Sequence, residues 1–288
     1  MNIRIGSRKS VLAMKQTEEV IKILESHFPD DTFEIVGIST KGDRQLNRTL
    51  QSFGGKGVFI KEIETSLLNG EIDMAVHSAK DMPTEMPDNL EISAALLRED
   101  RSDVLVCFGD IKTNELKIIG TGSARRKAQA QKLYPNAVFK SIRGNIHTRL
   151  EKLQSGEYDA IIMAKAAINR LEIADVNIIS FGDDFICAAG QGIIAVETIC
   201  GKMKKYTEAI NDVSAMTELT AERAFLKHIG GGCHTPCGAS AVYDGVKVTM
   251  NTFYGDTKSE VVLSMSGSNP TELGKEMASK TLEMMEGH

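Results

Sequence analysis

Three groups of residues in this 288-residue chain have types and spacings that chemistry can use. The first is His77-Ser78-Ala79-Lys80-Asp81-Met82-Pro83, which follows the apolar run at 72–76. A carboxylate beside an ammonium suits acid/base work, and a strand end is where open α/β sheets keep their ligand crevices. Pro83 cannot continue a ladder and biases Met82 toward extended backbone. Taken alone, the stretch reads more simply as a surface turn with an ion pair worth under about 1 kcal/mol.

The second group is cationic. Residues 121–149 hold seven basic side chains, Arg125, Arg126, Lys127, Lys132, Lys140, Arg143 and Arg149, and no Asp or Glu, so this stretch is +7 and the rest of the chain -12, for a net charge of -5. That segregation makes a local anion site on an acidic protein. Arg125 and Arg126 open a helix after Thr121-Gly122-Ser123, where the helix dipole disfavours a cation unless an anion arrives. Arg143 sits at a strand end before Gly144, where backbone can approach a ligand closely. Planar guanidinium forks suit carboxylate or phosphate equally. A solvated helix face accounts for Lys127, Lys132 and Lys140. Nucleotide binding is disfavoured: the third glycine of a dinucleotide loop is Arg125 here, and Gly54-Gly55-Lys56-Gly57 lacks the Ser/Thr of a phosphate loop.

The third group is Gly230-Gly231-Gly232-Cys233-His234-Thr235-Pro236-Cys237. Three glycines allow a bulky group to come close to the backbone. Cys233 there could be a nucleophile, a metal ligand or an attachment point, or a thiol in a hinge. Cys233, His234 and Cys237 lack the second cluster that a closed zinc site needs, and no metal is expected. Their spacing is not that of a redox pair. Cys107, Cys187 and Cys200 read as buried thiols.

The elements that must position these groups alternate strand and helix. Residues 2–6, 33–38 and 72–76 read as strands, with a helix capped by Ser10 between the first two and another at 58–69 before the third. The Gly-rich stretch 40–57 has the length of a lid or binding loop. A second α/β unit starts near Ser102, with strands at 103–108, 117–120, 137–142, 159–164 and 176–181. Residues 193–197 look like a strand returning to the first unit, which predicts two lobes around a cleft. From residue 213 the pattern changes to one long helix at 213–228, three antiparallel strands and a closing helix at 270–285, a small α+β domain.

Composition narrows the class. Hydrophobic residues make up 42% and charged ones 25%, with 5% aromatics and no Trp. These are globular values without base-stacking platforms, and the net charge disfavours a nucleic-acid binder. No run approaches the roughly 18 apolar residues of a membrane span, and the first residues lack a signal-peptide core. Five scattered cysteines argue against a disulfide framework. The expectation is a reduced, cytoplasmic protein without membrane or nucleic-acid partners.

Read together, Ile5-Gly6-Ser7-Arg8-Lys9-Ser10, Gly54-Gly55-Lys56-Gly57-Val58-Phe59, Ala75-Val76-His77-Ser78-Ala79-Lys80-Asp81, Gly122-Ser123-Ala124-Arg125-Arg126, Arg143-Gly144-Asn145, Gly190-Gln191-Gly192 and Gly231-Gly232-Cys233 resemble the porphobilinogen deaminase (hydroxymethylbilane synthase) family along nearly the full length. The resemblance implies an α/β protein with two doubly wound, periplasmic-binding-protein-like domains, at 1–98 with 193–212 and at 99–192. A third, at 213–288, would be α+β with a three-stranded antiparallel sheet. It implies head-to-tail joining of porphobilinogen with loss of ammonia, primed by a dipyrromethane cofactor on a thioether from Cys233. Asp81 would be catalytic, shuttling the proton of the leaving amine and stabilising the electron-poor azafulvene. The cofactor would lie among Lys80, Ser78, Asp81, Thr121, Ser123, Arg125, Arg126, Arg143 and Gly144. Substrate would meet Arg8, Ser10, Arg149, Arg170, Gln191, Phe59 and Lys56, with 40–57 as a water-excluding lid. Departures from the family pattern fall at His234, Cys237, Ala167 and Ala189, with oxidation of Cys237 as one consequence. A monomer is expected. The competing reading is a non-catalytic two-lobed binding protein for a small carboxylate-bearing ligand.

Overall fold

The structure, a computed structural model, describes residues 1–40, 60–109, 113–230 and 235–286. Strands β1 (Asn2–Arg8), β2 (Thr32–Ile38), β3 (Met74–Ser78) and β4 (Leu90–Ala95) form the first sheet with helices α1 (Val11–His27) and α2 (Lys61–Leu68). Five strands follow, β5 (Asp103–Cys107), β6 (Ile118–Gly120), β7 (Val138–Lys140), β8 (Ala160–Ala164) and β9 (Asn177–Ser180), with helices α3 (Ala124–Leu133), α4 (Ile146–Gln154) and α5 (Lys165–Arg170). The chain then returns through β10 (Ile194–Ile199) and α6 (Lys204–Ile210).

The two sheets share one topology. The first runs β2-β1-β3-β10-β4 and the second β7-β6-β8-β5-β9. In each, three parallel strands are followed by an antiparallel one, β10 or β5, contributed by the chain just after it crosses between lobes. The expected periplasmic-binding-protein-like pair requires this double crossing. Both faces of the second sheet are covered, so its strands read as unbroken apolar runs. Leu105 and Ile162 pack in one core, while Val106 and Ile161 pack in the other.

A third unit begins with α7 (Val213–His228), capped by Asp212, whose carboxylate accepts from the Ala215 N–H at 2.7 Å. Strands β11 (Cys237–Tyr243), β12 (Val248–Gly255) and β13 (Glu260–Gly267) form an antiparallel sheet covered by α7 and α8 (Pro270–Glu286). Phe225, Met250 and Met277 are fully or almost fully buried between them.

The expected strand at 72–76 is displaced toward the chemistry. Asp73 turns outward to bind Arg4, accepting from its backbone N–H at 2.8 Å and its Nη2 at 2.9 Å. The strand starts at Met74 and runs on through His77 and Ser78, because β10 pairs opposite them. The expected strand at 137–142 shrinks to Val138–Lys140, and β4 and α6 lie where no element was expected. Neither has a strong signature: Leu90-Glu91-Ile92-Ser93-Ala94-Ala95 alternates only briefly and ends in two alanines, which favour strands little, and α6 is a seven-residue helix. Among the described residues no helix is long and apolar enough to cross a membrane.

Candidate active site

The strand displacement sets the candidate site. Ala79–Asp81 forms a single 3-10 turn at the end of β3. The Ala79 N–H donates to the Ile193 carbonyl at 3.0 Å, so the turn hangs on the returning crossover. Asp81 stands exposed at the mouth of a cavity lined also by Arg8, Ser10, Gln16, His77 and Ser78. Ser10 caps α1, accepting from the Ala13 N–H at 3.3 Å, and Ser78 donates to Gln16 at 3.0 Å. A neighbouring cavity between the lobes is lined by Ser78, Lys80, Arg170 and Gly190.

Across the cleft, Arg125 and Arg126 do open α3 after the cap Ser123, as the sequence predicts, and both are buried. The anion that offsets the unfavourable dipole belongs to the chain itself. Asp103, first residue of β5, accepts from Arg125 Nη1 at 2.6 Å and from Arg126 Nε at 2.9 Å. Gln191 Nε2 donates to the same carboxylate at 2.9 Å. Burial opposes the charge on Asp103, but the two guanidiniums outweigh it and hold the carboxyl far below its usual range. Arg125 also donates to the Ile186 carbonyl at 2.7 Å and Arg126 to that of Ile162 at 3.0 Å.

Gln191 joins the lobes, since its Oε1 accepts from Lys80 Nζ at 3.2 Å. Burial first, and then the charge of Arg126, pull the Lys80 ammonium down to about 8, with Asp81 and Asp103 pushing back. Arg149 is lowered for the same two reasons, burial and Arg126, with Asp81 opposing. It donates to the Gly144 carbonyl at 2.9 Å. The floor of the cleft therefore holds more positive charge than its carboxylates balance, an arrangement that a polyanion would relieve.

Other expected site residues stand further out. Thr121 is buried and accepts from the Ser123 N–H at 3.2 Å, which shapes the loop before α3. Arg143 is exposed. Arg170 is held by Glu19 at 3.2 Å and by the Gly192 carbonyl at 2.9 Å, so it straps α5 to the first lobe. Lys56, Phe59, Cys233, His234 and all but Thr40 of the expected lid lie outside the described residues. Cys237 is buried at the start of β11, a poor place for oxidation. Among the described residues no group of three or more His, Cys, Asp or Glu is placed to hold a metal.

Several charged residues around the site escaped the sequence reading. Asp103 is one. Glu197 is another: it forms a buried pair with His77, Nε2 to Oε2 at 3.0 Å, and its Oε1 has no partner among the described residues. Arg98 reaches Glu218 at 3.0 Å and Glu222 at 2.6 Å on α7, and Arg223 Nη2 donates to the Pro83 carbonyl at 2.7 Å. One signal was available: a charge inside an otherwise apolar strand, as in Asp-Val-Leu-Val-Cys and Ile-Ala-Val-Glu, must be paired.

Comparison with known proteins covers almost the whole chain. Residues 3–206 match the family model described as "Porphobilinogen deaminase, dipyromethane cofactor binding domain", and residues 216–283 match "Porphobilinogen deaminase, C-terminal domain". The porphobilinogen deaminase of Acetivibrio thermocellus is 39% identical, covering 100% of this chain and 99% of its own. That of Geobacillus kaustophilus is 43% identical over 96% of this chain and 93% of its own, and that of Bacillus subtilis 41% over 96% and 91%. Among solved structures, the VFT2 domain of Bordetella pertussis BvgS aligns with TM-score 0.43 and 17% identity, covering 77% of this chain and 92% of that one.

Proposed function

We infer the reaction from one premise: the chain belongs to the porphobilinogen deaminase family. It is a transferase that joins four porphobilinogen molecules head to tail, loses one ammonia for each unit added and, by consuming one water, releases the linear tetrapyrrole hydroxymethylbilane hydrolytically. At each junction a C–N bond breaks, the amine departs as ammonia, a C–C bond forms, and the attacked pyrrole carbon gives up its proton.

The observation that carries the residue assignment is the exposed Asp81 carboxylate facing a partly buried, under-neutralised cation cluster. We assign Asp81 to proton transfer at the leaving amine and to stabilising the cation that remains. Each pyrrole carries an acetate and a propionate, and Lys80, Arg126, Arg149 and Arg8 are the cations that would receive them. Arg125, Arg143, Arg170, Ser10, Ser78, Thr121, Ser123, Gly144, Gln191, Lys56 and Phe59 complete the proposed binding surface. Burial first, and then repulsion from Arg126, lowers both Lys80 and Arg149, and the carboxylates of a dipyrromethane would offset both penalties. When bound, that group supplies the free pyrrole carbon to which the first unit is joined.

We place its attachment at Cys233, after glycines that leave room for it. The three sheets are read as three domains, 1–98 with 193–212, 99–192 and 213–288, of a cytoplasmic monomer. An intact mass spectrum beside Cys233→Ser tests the attachment. The parent should carry the mass of two linked pyrroles and the variant should not; an unmodified parent that takes up no mass from porphobilinogen overturns it. Asp81→Asn tests the chemistry: turnover should fall by about 100-fold or more, and normal turnover would remove Asp81 from the mechanism.

A further inference from the structure

The turn that presents Asp81 is held from three sides, and two of the holds come from adjacent residues of α7. Arg223 Nη2 donates to the Pro83 carbonyl at 2.7 Å, two residues beyond Asp81. Glu222 Oε2 accepts from the Gly190 N–H at 2.6 Å. Gly190 has φ +71°, and a Cβ placed there would lie 3.0 Å from Ala79 C and Lys80 N, so the crossover backbone packs directly on the turn. The third hold is the Ala79 N–H on the Ile193 carbonyl.

Neighbours on a helix point about 100° apart, which lets one residue reach the crossover and the next reach the turn. Glu222 is fully buried, and it leaves no oxygen idle. Oε1 accepts from Arg98 Nη1 at 2.6 Å and from the Ala241 N–H at 2.7 Å, while Arg98 Nη2 meets Oε2 at 3.2 Å. One carboxylate thus ties α7 to both crossovers and to β11. The same helix carries the chain on toward Cys233.

We propose that Glu222 and Arg223 are positioning residues for Asp81, fixing its turn to the helix that leads to Cys233. The proposal rests on Asp81 as the proton-transfer group and on Cys233 as the attachment point. The turn that carries the carboxylate is thereby fastened to the same helix from which the chain runs on, in sequence, toward Cys233. Misplacing a catalytic group by about 1 Å costs up to about 100-fold in rate, so a turn freed at Pro83 should show first in kcat.

The test is a double-mutant cycle on the cofactor-loaded protein, combining Arg223→Met with Asp81→Glu and reading kcat, KM and intact mass. Arg223→Met should keep the cofactor mass and a KM within about twofold, and lower kcat about 10-fold or more in the Asp81 background. In the Asp81→Glu background, where the carboxylate is already displaced, the same change should cost less than about twofold. Arg223→Lys should restore most of the rate, since an ammonium can still donate to the Pro83 carbonyl. It carries the same cycle, with smaller losses, where Arg223→Met is too unstable to assay. Equal losses in both backgrounds, or unchanged kcat in Arg223→Met, overturn the positioning role alone. A parent without cofactor mass, or Asp81→Glu at full rate, overturns the role together with the reading beneath it.

Discussion

The two lobes are built on one topology and each buries an acid on its antiparallel crossing strand, Glu197 on β10 and Asp103 on β5. They treat that acid in opposite ways. Asp103 is saturated by Arg125, Arg126 and Gln191. Glu197 has His77 on one oxygen and no partner on the other among the described residues. The second lobe therefore uses its buried carboxylate to fix two arginines in place, which under the proposed function preorganises them for the substrate's carboxylates. The first lobe keeps its buried acid behind the strand and presents a different carboxylate, Asp81, to the cleft. Repeated topology supplies the cleft, and the divergent charges on equivalent strands make its walls unlike.

Removing the acid from the second lobe should have the larger effect. Asp103→Asn leaves two buried guanidiniums sharing a neutral acceptor, and breaking such a pair costs about 3–5 kcal/mol. Thermal unfolding should fall accordingly and recover in part with a polycarboxylate bound, because a ligand for the folded state stabilises it. The pH dependence has a definite sign. Asp103 is depressed in the fold, so its contribution is present above the ordinary carboxylate range, near pH 4, and is lost as pH falls below that. The variant should lack this acid-side loss. Unchanged unfolding would mean that the arginines are held by the Ile162 and Ile186 carbonyls alone.

Glu197→Gln tests the other side. An amide keeps an acceptor for His77 and gives up a carboxylate that was half unsatisfied, so the loss should be about 1 kcal/mol. A loss as large as that of Asp103→Asn would erase the contrast between the lobes.

Much of this arrangement was legible in the sequence, for reasons that differ by residue. Apolar runs bounded by turns gave the strands of both lobes except β4, because a doubly covered sheet demands them. The cluster from Arg125 to Arg149 declared an anion site through its lack of any acid. Its first anion was not legible, since Asp103 lies 22 positions before Arg125 and meets it only once β5 enters the sheet. The same holds for Glu197, 120 positions from His77, and for Arg223, 140 from Pro83. Local pattern reports which groups need a partner; the crossings decide which partner they find. The displaced start of β3 belongs here too, because the pairing that extends it comes from β10.

The smallest expected effect, and the one that sharpens the contrast most directly, concerns the residue between the lobes. Lys80 belongs to the first lobe but is held at about 8 by burial and by Arg126 of the second. A depressed lysine costs the fold stability while it is charged, and that cost is relieved as pH rises through about 8 toward the unfolded value near 10.4. A bound carboxylate reverses the balance by favouring the ammonium. Binding of a pyrrole polycarboxylate should therefore take up a fraction of a proton between about pH 8 and 10, and weaken as pH rises through that window. Calorimetry in two buffers of different ionisation enthalpy reads the proton directly. Uptake in the parent that vanishes in Lys80→Met would place the ligand against the shared cation cluster. Uptake of the same size in both would move the titrating group elsewhere and leave the second lobe's arginines as the whole of the proposed carboxylate receiver.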